Sequence, residues 1–126
     1  LAPVGTGATL ASRPGRTGHQ LHPAGLRWRG RIAYDRLQEA LEALRAEAGE
    51  ELVRLKGLVA IDKLDGPLLV QAVAGQPVEV APLPAWPGGD DDSRLVVIAA
   101  GEDADAPRRW LDHWCRQLGL AEAAGA

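Results

Sequence analysis

Residues 52–61 read LVRLKGLVAI, and the folding of this segment decides the architecture. Val53, Leu55, Val59 and Ile61 share one parity, while Arg54, Lys56 and Asp62 share the other. Side chains alternate across a strand, so the pattern predicts a strand with one buried and one charged face. Asp65, Gly66 and Pro67 then signal a turn. Residues 68–74 (LLVQAVA) form a second strand, and the pair reads as a hairpin with a longer loop. Gly75 and Gln76 turn the chain into a shorter third strand over 77–83, whose Pro82 favours an edge position. Residues 84–92 (PAWPGGDDD) are loop. Residues 95–100 (LVVIAA) are a continuous apolar run, the pattern of a central strand buried on both faces.

Helices flank this block of strands. Leu37, Ala40, Leu41, Leu44 and Ala48 recur at helical spacing. Asp35 with Gln38 resembles a capping box, and Gly49 suits the stop, which predicts a helix over 35–48, roughly 20 Å long. Downstream, Asp105 can cap a second helix with Pro107 in its first turn. Trp110, Leu111, Trp114, Cys115 and Leu118 form its apolar stripe, and Gly119 ends it. Upstream, alternation around Leu26 and Trp28 predicts a short edge strand over 26–33. Residues 1–25 are broken by Pro3, Gly5, Gly7, Pro14, Gly15, Gly18, Pro23 and Gly25, and read as a flexible linker or arm. The compact domain is expected over 26–120, with a disordered tail at 121–126. The order is β-α-β-β-β-β-α, an α+β fold in which two helices pack on one face of a largely antiparallel sheet.

The composition bounds the function. One domain fits 126 residues. A 46% apolar and 25% charged composition excludes disorder of the whole chain. The net charge of −3 argues against a nucleic-acid binder, and no apolar run approaches the ~18 residues of a membrane helix. Only two of the 14 basic residues are lysines, Lys56 and Lys63. The single Cys115 cannot pair within the chain, which fits a reducing cytoplasm, and its place on the Trp stripe suits a core thiol. The chain starts at Leu1 and has no Met, so it is expected to be a piece of a longer protein.

Signals of catalysis are sparse. No P-loop pattern, C-x-x-C pair or G-x-S-x-G elbow occurs. Gly5 and Gly7 fall short of a dinucleotide fingerprint. His19 and His22, three apart, could share a metal ion if the arm turned, although a closed site needs about four ligands; two ordinary linker histidines are the other reading. His113 is expected to be a solvated surface residue. Asp90, Asp91 and Asp92 could attract a cation, but consecutive loop carboxylates usually just solvate a loop. Arg27, Arg29 and Arg31 could contact phosphate, yet the sheet lacks the paired aromatics of an RNA-stacking surface. Arg54 and Lys56 project together from one strand face. They offer either a docking surface for an acidic partner or a charged solvent face, with Gly57 allowing a bulge or close packing.

An ordered set of motifs goes further. R-x-K-G stands at 54–57, Q-x-V at 71–73, a tryptophan at Trp86 and R-L-V-x-I at 94–98, before the closing helix WLDHWCRQL. Over about residues 26–120 this set resembles the C-terminal domain of the CobW-like P-loop GTPases, associated with metal insertion and cobalamin synthesis. The resemblance implies an accessory domain without catalysis of its own. It would dock to the GTPase domain of the same protein or recognise a metal-receiving client, with no nucleic-acid or membrane partner. Arg54, Lys56, Gly57 and Trp86 would be the partner-binding residues. GTP with Mg would bind only the absent domain, zinc or cobalt would belong to the parent protein, and His19 and His22 fall where the family's His-rich linker would end. The alternative is a stand-alone α+β interaction or ligand-binding domain with no metal role.

Overall fold

The computed structural model describes residues 20–120. Five strands and two helices follow the expected order: β1 (Gln20–Trp28), α1 (Tyr34–Ala48), β2 (Leu52–Val59), β3 (Leu68–Val73), β4 (Glu79–Pro82), β5 (Ser93–Gly101) and α2 (Ala106–Leu118). A short 3-10 turn, Gly49–Glu51, joins α1 to β2. The strands make one sheet in the order β1-β5-β2-β3-β4, and every neighbouring pair is antiparallel. The last strand thus lies between the first and second, and β1 and β4 are the edges.

β1 starts at Gln20 rather than at the expected residue 26. Pro23 and Gly25 argued against regular structure there, but an edge strand tolerates a residue without an amide donor. All nine residues of β1 stand in register with β5, from Gln20 opposite Gly101 to Trp28 opposite Ser93. Residues 29–31 leave the sheet, and Ile32 makes one parallel bridge to Ile61. The remainder of the expected arm, residues 1–19, and the expected tail, 121–126, lie outside the described residues.

α1 matches its apolar pattern, with Leu37, Ala40, Leu41, Leu44 and Ala48 all buried. The capping box does not form. Ala33 is the N-cap, Asp35 falls within the first turn, and Gln38 instead donates to the Tyr34 hydroxyl. On α2 the whole predicted stripe is buried and Gly119 ends the helix in the left-handed region at φ 68°. Asp105 occupies the N-cap position without a side-chain cap; the Asp103 carboxylate accepts from the Asp105 amide instead.

Both helices cover the same side of the sheet. Their stripes meet Leu26, Trp28, Leu55, Val59, Val70, Leu95, Val97 and Ala99 in one core. Trp28 of β1 and Trp114 of α2 meet edge-on, with ring centroids 6.1 Å apart. Cys115 lies in this core with its thiol pKa raised, chiefly by burial, as suits a core thiol. Ser93 is the one buried polar residue of the described core, and its hydroxyl accepts from the Ala60 amide just beyond β2 at 2.8 Å. The helices are tied outside the core as well. Arg36 donates to the Gln117 carbonyl, and His113 Nδ1 lies 2.7 Å from Glu47. His113 is therefore half-exposed and paired rather than simply solvated, because α2 runs beside α1.

The β5 expectation needs correction. The strand is central by position, but only Ser93, Leu95, Val97 and Ala99 face the helices; Val96 on the other side is 46% exposed. An apolar run has no parity of its own, so it could not tell that one side lacks a covering layer. In β2 the parity also shifts at its start. A register shift between Leu52 and Arg54 puts Leu52 in the core and leaves Val53 half-buried.

Candidate docking face on the open side of the sheet

The side of the sheet away from the helices carries most of the residues picked from the sequence. Its layout follows from the register. One cross-strand row is Pro23, Ile98, Arg54 and Val73; the next is Gly25, Val96, Lys56, Gln71 and Glu79; the third is Arg27, Arg94, Leu58, Leu69 and Ala81. Arg54 and Lys56 are exposed and form no ion pair with any described residue. Around them lies a shallow groove of about 650 Å³, whose floor is Leu58, Leu69, Val96 and Ile98 and whose rim includes Pro87 and Arg94. Of the five large apolar residues exposed in the described chain, Leu21, Val73 and Val96 are on this side.

Gly57 contributes backbone to the groove but acts on the other side. A Cβ there would sit 2.5 Å from the Arg94 carbonyl oxygen and 2.9 Å from a Leu95 methyl. Its role is close packing, since it leaves room for the fully buried Leu95; the register shift of β2 is at Val53, not at Gly57. Trp86 does not join Arg54 and Lys56. It is half-buried in the β4–β5 loop, stacked by the Arg94 guanidinium 5.9 Å from its ring centroid. It lines a separate polar recess with Arg29, Arg31, Asp65 and Asp92.

Two members of the acidic run, Asp90 and Asp92, are ion-paired rather than merely solvated. Asp90 lies 3.0 Å from Arg27 and 2.6 Å from Arg94, and Asp92 lies 3.5 Å from Arg29. These pairs occupy two of the arginines that the sequence offered to phosphate. The Asp92 amide, which donates to Asp90, holds the Asp90 carboxyl below its ordinary value of 3.8, with Arg94 and Arg27 adding to the effect. Arg109 does the same for Asp103, helped by the Asp105 amide. Both carboxylates are depressed, so their contribution is present above about pH 4 and is lost as the pH falls through the folded-state values. Acidification from pH 7 to below 4 is expected to lower the urea midpoint. In the double variant Asp90→Asn/Asp103→Asn the midpoint should fall less over that range; parallel curves would remove these two groups from the acid response.

His22 and His19 do not form a described pair. His22 sits on β1 with its Nε2 3.0 Å from the Gly101 carbonyl oxygen, and His19 lies outside the described residues. Among the described residues no group of three or more His, Cys, Asp or Glu is arranged to hold a metal ion. Nor is any described helix long and apolar enough to cross a membrane.

Sequence reasoning missed the apolar part of the face: Leu58, Leu69, Pro87, Val96 and Ile98. The signal was present in the uninterrupted LVVIAA run, whose outward half no described residue covers.

Similarity to known proteins agrees with this geometry. The family model of the cobalamin synthesis protein cobW C-terminal domain matches residues 22–114. Among solved structures, the fold is similar to that of a Zn(II)-bound YjiA GTPase from E. coli, with 19% identity and a TM-score of 0.60 over 75% of this chain. A Zn(II)-bound triple mutant of YjiA gives the same identity, TM-score and coverage. The match spans 29% of the YjiA chain, under a third of its length. No curated protein matches the sequence. The matched model is that of the non-catalytic C-terminal domain, distinct from the P-loop part of the GTPases, and the chain belongs to the cobW C-terminal domain family.

Proposed function

We propose that this domain is the accessory part of a CobW-like, GTP-dependent metal chaperone of the cytoplasm, and that its open sheet face docks either the GTPase domain of the same protein or the client that receives the metal. The supporting observation is the face itself. Helices cover one side of the sheet, while the other presents apolar side chains beside two cations with no ion-pair partner among the described residues, Arg54 and Lys56. Exposed apolar surface rimmed by charge is the usual mark of a protein interface. Zinc or cobalt would be the cargo of the whole protein, with GTP and Mg held outside this chain. His19 and His22 are proposed only as a handover point for the ion, testable by zinc titration of the chain against His19→Ala/His22→Ala.

Docking is tested by a pull-down with a CobW-type GTPase domain. Lys56→Glu reverses one charge at an exposed position and should leave stability within about 0.5 kcal/mol. It is expected to weaken capture several-fold, about 1 kcal/mol or more in binding. Undiminished capture would remove the face from the GTPase interface.

A further inference from the structure

We infer that the open face takes an acidic amphipathic helix, running along β5, β2 and β3 with its apolar stripe on Val96, Ile98, Leu58 and Leu69 and its carboxylates over Arg54 and Lys56. This rests on the reading of the face as a docking surface and names its occupant. The shape argues for a helix. The apolar positions come from three adjacent strands, a strip about 10 Å wide at sheet spacing, which is the diameter of one helix. The other side of the same sheet is already covered by helices, so a helix on the open side completes a three-layer α/β/α arrangement.

Charge argues for acidity. Arg27 and Arg94 are occupied by Asp90 and Asp92, whereas Arg54 and Lys56 have no described partner. Glu79 is the one carboxylate on these rows, and it stands on edge strand β4, two strands from Lys56. The charge of residues 1–19 does not suit the role. Residues 1–19 contain Arg13 and Arg16 and no acidic residue, so they would add positive charge to the cations. A second copy docking face to face would set Arg54 and Lys56 against their own equivalents.

The test is selection from a phage-displayed library of random peptides about 16 residues long, roughly 24 Å as a helix, on the full 126-residue chain. The expected winners carry apolar residues at i, i+3, i+4 and i+7 with Asp or Glu beside them. A synthetic copy of the best one should lose at least about tenfold in affinity, by fluorescence anisotropy, for Arg54→Glu/Lys56→Glu and for Val96→Asp. Circular dichroism confirms that both variants remain folded. Failure to enrich any peptide, basic or Pro-rich winners, or binding indifferent to these changes would overturn the inference. So would a dimer in sedimentation that Val96→Asp dissociates, since a second copy would then be the occupant. The library contains no GTPase domain, so Lys56-dependent docking without peptide binding would sink only the helix, and the reverse only the GTPase docking.

Discussion

Trp114→Ala is expected to cost about 3–5 kcal/mol of folding stability, the range for deleting a large buried aromatic. Trp114 is 2% exposed and meets Trp28 edge-on where α2 crosses β1. Its loss would open a cavity between the helix layer and an edge strand held by only one neighbour. For a domain of about 100 residues, the thermal midpoint should fall by roughly 12 °C or more. Trp114→Phe separates packing from polarity. The indole Nε1 of Trp114 is buried with no hydrogen-bond partner among the described residues, so phenylalanine keeps a ring and removes that donor. The Phe variant is therefore expected to lose less than half as much as the Ala variant. Equal losses in thermal or urea denaturation would show that ring packing is not what holds α2 to β1.

Gly57→Val is expected to be at least as severe for a different reason. The clash is with the carbonyl oxygen of Arg94, which is backbone and cannot swing aside, and with a methyl of the fully buried Leu95. Relief requires β2 and β5 to separate at the middle of the sheet, where Gly57 pairs with both Leu95 and Val70. Overpacking costs of about 1–3 kcal/mol assume that side chains yield; a backbone clash should exceed them. The expected result is a chain without a cooperative unfolding transition. Gly25→Ala is the control, because its Cβ would find only ordinary contacts at 3.7 Å. It should change stability by less than about 1 kcal/mol. A Gly57→Val protein that melts like the parent would mean that β2 and β5 do not approach as closely as described. The same observation separates the members of one motif: Arg54 and Lys56 stand exposed with no ion-pair partner among the described residues, while Gly57 is needed by the core.

The face was partly legible before folding. Period-two spacing placed Arg54 and Lys56 together, because alternation along an extended chain leaves no choice. Trp86 could not be placed this way. A loop residue has no parity, and its position beside Arg94 depends on how the β4–β5 loop returns to the sheet. The acidic run was illegible for the same reason: Asp90 and Asp92 find Arg27 and Arg29 across more than sixty residues of chain. The start of β1 was obscured by Pro23 and Gly25, whose local meaning is a break. Only the edge location makes their missing donor and missing side chain harmless.

Local chemistry alone settled the element order, both helix stripes and the ordered motifs of the family. These depend on periodicity and turn residues, which act within a few positions along the chain. The order of strands in the sheet, the exposure of the outward half of β5 and the pairing of the loop carboxylates came only with the folded molecule. Each depends on which distant segments become neighbours, and an apolar or charged side chain carries the same local pattern whether its other side meets protein, water or a partner.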